Sequence, residues 1–502
     1  MKRLTALTTL AVITVAWLGL TLWMKDEPDE PDDPTAPHAG VDLPPAEPVP
    51  APPEPNNDDD DEPESYEPAS PAKIDADALT ARGAISHPAL AQYYHGEVYA
   101  ELEFEAVDER PEERAPLNVA LVVDRSGSMN GRPLDQAKRA AHTFVDGLEA
   151  QDRASLIAFD GQVRTEVSST VVDGEGRELL HGAIDRLHTR GSTNLSGGLE
   201  VGSREVARHS SPEMVQRVVL LTDGQPNNGI THTEGLTNKA ASIRKNGVSV
   251  STLGFGTNYD AELLGAIATE GAGNFEHISD SADLERAFAD ELDDMASTVA
   301  SGLKVDLEPS DGVRIEQVYG FSRDQVDGAE RITLGDLEAD ARRSAVVKLS
   351  LSGSNLEPGS LRDLVDVRVD FRDRLADRAV GKSMALDTRI TSNEDDVEEA
   401  RDSEVMARVE EQRSLANLAE VEERYESGDR EGAQRRIEQE RKRLERARKS
   451  HDIADDSGAF DGVKKLLNKK EKDVKSFEPS SEGARNSAAE SQDSKMDMMQ
   501  GR

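Results

Sequence analysis

Asn118-Val119-Ala120-Leu121-Val122-Val123-Asp124-Arg125-Ser126-Gly127-Ser128 is the stretch on which the fold reading turns. Residues 118–123 form a near-continuous apolar run of strand length, the pattern of a strand covered on both faces. The run breaks at Asp124 into a short polar loop containing two serines and a glycine. Similar runs recur at 155–159, 218–221 and 248–255, with helical stretches between and after them at 133–148, 178–187, 195–208, 234–245, 261–270 and 282–299. In 133–148, Ala137, Ala140, Ala141, Phe144 and Leu148 share one helix face. Repeated β-then-α units over 116–300 predict an α/β domain: a doubly wound, mostly parallel, Rossmann-like sheet with helices on both faces.

In such sheets ligands bind beyond the carboxyl ends of the strands. Three loops there carry the informative residues. The first is Asp124-Arg125-Ser126-Gly127-Ser128; the second, before the helix at 195–208, is Gly191-Ser192-Thr193-Asn194; the third is Thr222-Asp223-Gly224. Together they offer two carboxylates and several hydroxyls, oxygen donors that suit a hard cation of Mg²⁺ type.

Asp-x-Ser-x-Ser after the first strand, a threonine in the middle loop and Thr-Asp-Gly after a later strand resemble the von Willebrand factor type A domain. Residues 152–159 and 221–227 support the match. The resemblance covers 117–300 and implies a metal-ion-dependent adhesion site. Ser126, Ser128 and Thr193 are its hydroxyl ligands, with Asp124 and Asp223 contributing directly or through water. Mg²⁺ is the implied ion, Mn²⁺ or Ca²⁺ the alternatives. One coordination position is left for an Asp or Glu carboxylate of a protein partner.

Residues 96–107 alternate as a strand, and strand-like runs follow the α/β domain at 302–307, 312–318, 330–334, 344–350 and 365–371. They predict a small β-sandwich split into 73–115 and 301–392, with the domain at 116–300 inserted in it. That arrangement resembles bacterial membrane-anchored A-domain proteins named after calcium-activated chloride channels, although one membrane span cannot form a pore by itself. Residues 393–475 read as a helical hairpin: Val405, Val409, Ala416 and Ala419 mark one face, Ile437, Leu444 and Ala447 another, and Gly428-Asp429 the turn. The stretch 476–502 reads as a disordered tail.

At the other end, residues 4–24 carry no charge and would make a helix of about 32 Å, enough to cross a bilayer. Lys2 and Arg3 precede them and six acids follow within 26–33, so the expected arrangement is a transmembrane signal anchor at 1–25 with the bulk of the chain extracytoplasmic. A cleaved secretory signal is the competing reading. Residues 26–72 hold 14 of the 23 prolines and 16 acids without a Lys or Arg, the composition of a disordered, self-repelling tether.

Across its 502 residues the chain has 59 basic and 99 acidic side chains, a net charge of −40, which argues against nucleic-acid binding. It has no cysteine, which excludes disulfides and thiolate chemistry. No nucleophile elbow, His-Glu-x-x-His or phosphate loop is present, so neither an enzyme nor a small-molecule substrate is expected. The function expected is a membrane-anchored protein-binding module. An envelope scaffold whose metal only stabilises it, and an accessory factor of an ATPase chaperone, are the other two readings.

Overall fold

A computed structural model describes residues 68–500 apart from 257, 279–282, 353–355, 454–459 and 477–481. The expected span at 4–24 and nearly all of the tether lie outside the described residues. Among the described residues no helix is long and apolar enough to cross a membrane.

Four strands open the fold: β1 (Ala72–Asp75), β2 (Leu79–Ile85), β3 (Ala89–Ala91) and β4 (Gly96–Ala106). The α/β domain follows as β5 (Leu117–Asp124), α1 (Arg132–Gly147), β6 (Arg153–Phe159), β7 (Val163–Val171), α2 (Gly174–Asp185) and α3 (Leu195–Ala207). It continues through β8 (Val215–Thr222), α4 (Thr233–Lys245), β9 (Ser249–Phe255), α5 (Ala261–Glu270), β10 (Ala272–Ile278) and α6 (Leu284–Ala296). Then come β11 (Thr298–Pro309), β12 (Val313–Tyr319), β13 (Arg323–Val326), β14 (Ala329–Glu338), β15 (Arg342–Leu351), β16 (Leu361–Asp373) and β17 (Arg378–Thr391). Helices α7 (Glu394–Glu399), α8 (Ser403–Glu426), α9 (Arg430–Ser450), α10 (Asp461–Ser476) and α11 (Glu482–Gln500) end the chain.

The α/β sheet has the order β10-β9-β8-β5-β6-β7. Every pairing is parallel except that of the edge strand β7. All eight residues of β5 are buried. Val119, Leu121 and Val123 face the core under α1, α2 and α6, while Ala120 and Val122 face the core under α3, α4 and α5. Helix α3 lies close on β5 because it carries Gly202 there: a Cβ at that position would stand 2.6 Å from Val122 Cγ2. The chain leaves β5 toward β6 on one side and returns to β8 on the other, so the loops after β5 and β8 diverge at one edge.

The remaining strands form two sheets, β1-β2-β4-β15-β12 and β13-β14-β11-β16-β17-β3, enclosing one apolar core. Strand β4 pairs antiparallel with β15 over its length. The sandwich is therefore built from chain on both sides of the α/β domain, which is inserted between β4 and β11.

The C-terminal region departs from expectation. The hairpin α8–α9 is present, with Gly428 at φ +85° in its turn and Asp429 capping α9 through the Gly432 amide. Its buried stripe on α8 is Leu415, Leu418 and Val421, whereas Ala416 is exposed. α10 packs into the same core. Val405, Met406 and Val409 at the start of α8 seat the hairpin on Tyr99, Tyr319 and Val346 of the sandwich. The tail expected to be disordered from 476 instead contains α11, whose Ala489 and Met496 join the core under α5. Small residues make this docking possible: at Gly265 of α5 a Cβ would fall 2.3 Å from Gln492 Nε2.

Candidate metal centre at the carboxyl edge of the inserted sheet

Asp124 is the last residue of β5 and fully buried. Its Oδ1 accepts the Ser126 backbone N–H at 2.7 Å, which folds the loop back over the strand end, and its Oδ2 accepts the Thr222 hydroxyl of β8 at 2.5 Å. Ser128 Oγ donates to Asp223 Oδ1 at 2.6 Å and lies 2.9 Å from Ser126 Oγ. Since Ser128 has only one hydroxyl proton, Ser126 is the donor in the serine pair. Both serine protons are thus engaged within the chain, and lone pairs of the two oxygens are left available.

Thr193 is buried and laced to the loop after β8. Its N–H donates to Asn227 Oδ1 at 2.8 Å, and its carbonyl accepts the amides of Asn227 and Asn228, both at 3.1 Å. The first loop is tied to the second by Gly127 N–H to the Gly191 carbonyl at 3.1 Å and Arg190 N–H to the Arg125 carbonyl at 2.7 Å. Arg125 itself turns away from the oxygens. Its buried guanidinium pairs with Asp160 at 2.9 Å and with Glu166 at 3.4 Å.

Gly224 supplies the space. A Cβ there would sit 3.3 Å from Ser128 Oγ, 3.6 Å from Thr193 Oγ1 and 3.8 Å from Asp124 Oδ2. The missing side chain leaves a cradle on the third loop, faced by oxygens of the other two. Burial pushes the Asp124 carboxyl up to about 6, against the lowering effect of the Thr222 hydroxyl and the Ser126 amide. Asp223 is also raised by burial, with Ser128 opposing. Among the described residues neither carboxylate has a cationic partner. A hard dication fits this donor set, because it would offset two poorly solvated carboxylates and accept neutral oxygens as ligands. No group of three or more His, Cys, Asp or Glu suited to a metal occurs among the described residues; here most of the donors are hydroxyls.

All five residues singled out in the sequence therefore stand at one sheet edge. Asp124, Ser126, Ser128 and Asp223 are joined by hydrogen bonds there, and Thr193 faces the same space. Sequence reasoning missed Gly224 as the space-maker, Thr222 as the anchor of Asp124, and Asp160 as the partner of Arg125. An arginine in the first x position of Asp-x-Ser-x-Ser was the available signal for the last.

An inserted, mostly parallel α/β sheet with this edge defines a class. Residues 118–290 match the von Willebrand factor type A domain, and the chain carries that domain. An uncharacterised protein of Synechocystis is 33% identical over 256 residues, covering 49% of this chain and 59% of that protein. The uncharacterised YfbK of Escherichia coli is 27% identical over 282 residues, covering 55% and 48%. The chain thus spans about half the length of the curated relatives it matches. A solved von Willebrand factor type A protein from Catenulispora acidiphila superposes with a TM-score of 0.64 at 20% identity, over 79% of this chain and 91% of that one, a likeness of fold.

Proposed function

We propose that the chain binds a protein partner through a divalent cation at the cradle between β5 and β8. Ser126, Ser128 and Thr193 would hold the ion through hydroxyl oxygens, and Asp124 and Asp223 directly or through water. Mg²⁺ is the ion expected, with Mn²⁺ or Ca²⁺ as alternatives. When bound, the cation supplies a coordination position for an Asp or Glu carboxylate of the partner. The chain's own residues do the positioning: Thr222 fixes Asp124, Asn227 fixes Thr193, and the serine protons are engaged by Ser128 Oγ and Asp223 Oδ1.

The observation that carries this reading is the Gly224 cradle, where oxygens of the first two loops, from Asp124, Ser128 and Thr193, face the side-chain-free position on the third. None of these hydroxyls has a histidine as hydrogen-bond partner among the described residues, so the site suits binding rather than turnover. Peptides bearing Asp or Glu, against their Asn or Gln counterparts, test it. Capture of the acidic set is expected in Mg²⁺, with loss in chelator and in Asp223→Ala. Equal capture in chelator contradicts the reading, as does a hydrolytic activity that Asp223→Ala removes.

We also place the chain at the outer face of a cytoplasmic membrane, with residues 4–24 as the span and 26–72 as the tether, on their composition. Protease added to intact spheroplasts should then release the folded part; full protection contradicts this placement.

A further inference from the structure

A second cluster, unrelated to the cradle, lies between α1 and α2. Helix α1 carries His142 and Asp146 four residues apart, and α2 carries His181 and Asp185 at the same spacing. Positions i and i+4 share a helix face, so each helix presents an imidazole beside a carboxylate. The two faces meet crosswise. His142 Nε2 lies 3.1 Å from Asp185 Oδ1, and His181 Nε2 lies 3.1 Å from Asp146 Oδ1. The two Nδ1 atoms face each other at 2.6 Å, with the rings stacked at a centroid distance of 4.8 Å. The histidine side chains are 29% and 27% exposed, within reach of solvent ions.

An ionised carboxylate only accepts, so each Nε2 donates to the carboxylate behind it. The two Nδ1 atoms then meet at 2.6 Å as a pair of donor atoms that either a proton or a metal cation can bridge. A carboxylate on the far nitrogen of an imidazole is also the arrangement that orients metal-bound histidines and raises their basicity.

We propose that His142 and His181 form a binding site for a borderline transition-metal dication of the Zn²⁺ or Cu²⁺ type. The two Nδ1 atoms are its ligands, Asp146 and Asp185 orient the rings from behind, and water completes the coordination. Tetrahedral Zn²⁺ with bonds of about 2.0–2.1 Å needs its nitrogens about 3.3 Å apart, a small opening for two partly exposed side chains. Imidazole suits Zn²⁺ and Cu²⁺, whereas Mg²⁺ prefers oxygen, so the site does not compete with the cradle. An ion here would clip α1, the helix that follows the Asp124–Ser128 loop, to α2. The inference stands apart from the proposed function.

Zn²⁺ titration of the full chain by calorimetry, in saturating Mg²⁺ so that the oxygen site is equally filled throughout, tests it. Wild type should bind an equivalent of Zn²⁺ that is lost in both His142→Ala and His181→Gln, with circular dichroism unchanged. Asp146→Asn should weaken that binding 10- to 100-fold, and Asp124→Ala should leave it intact. If neither histidine variant alters Zn²⁺ binding, or wild type binds none, the proposal is overturned and a shared proton bridges the rings.

Discussion

Gly224 lies next in the chain to Asp223, yet its contribution is the absence of an atom. Replacing it with alanine would put a methyl group 3.3 Å from Ser128 Oγ and 3.6 Å from Thr193 Oγ1, in the space where an ion would sit. Gly224→Ala should therefore keep its fold and lose at least about tenfold in Mg²⁺ affinity, the scale of one displaced ligand contact at about 1.4 kcal/mol. Unchanged affinity in a Mg²⁺ titration would move the ion away from this cradle. The five oxygen-bearing residues were legible in the sequence because their order and spacing are local to three loops. Gly224 and Thr222 were not, because their roles exist only once β5 and β8 lie side by side. Only then does the Thr222 hydroxyl reach Asp124 across 98 positions of chain.

At the scale of elements, α11 has a titration of its own. Asp493 on α11 is pushed up to about 7 by burial and by Asp497, with Lys469 and the His277 backbone opposing. Glu276 on β10 is likewise pushed up to about 7 by burial, then by Asp493, Asp290 and Glu291, with Arg286 opposing. Both folded values lie above those of the unfolded chain, so the docked helix binds more protons. Its contribution is full below about pH 4 and declines as pH rises toward 7. Hydrogen exchange over 482–500 should be slower at pH 5 than at pH 8 after correction for intrinsic rates, and Asp493→Asn should flatten the difference. Equal protection at both values would show that these carboxyls do not govern docking. The helix escaped sequence reasoning because its buried face is made of alanine, serine and methionine with acids interspersed, which reads as unstructured composition. β7 and β10 escaped for related reasons. The first is a mostly polar edge strand, and the second packs glycine, asparagine and histidine into seven residues. Within the α/β domain the four strands that were read, β5, β6, β8 and β9, are those whose apolar runs are covered on both faces.

The whole molecule is held at the insertion by charges as well as by sheet pairing. Arg217 of β8 is buried and pairs with Glu291 of α6 at 3.0 Å and with Asp336 of β14 at 3.4 Å, joining the α/β domain to the sandwich. Arg374, after β16, reaches back to the carbonyls of Pro212, Glu213 and Met214 before β8. Removing a buried cation strands its partners, at a cost of about 3–5 kcal/mol. Arg217→Ala should lower unfolding stability by that order in denaturant titration; a loss below about 1 kcal/mol would mean that sheet pairing alone fixes the two parts. The insertion was legible because an alternating strand precedes the α/β domain and its partners follow it. The stretch 73–115 was assigned to the sandwich with β4 as its one strand read; β1, β2 and β3 were not read as separate strands, since they are short and set among proline and glycine. The central claim, a cation at the β5–β8 edge, is tested most directly by thermal unfolding with and without Mg²⁺ in wild type and Asp124→Ala. Ligand at a hundredfold excess over its dissociation constant stabilises the folded state by about 2.7 kcal/mol. Wild type should show a raised midpoint that Asp124→Ala lacks, with the sheet intact in both. Identical responses of the two proteins to Mg²⁺ would contradict a metal centre there.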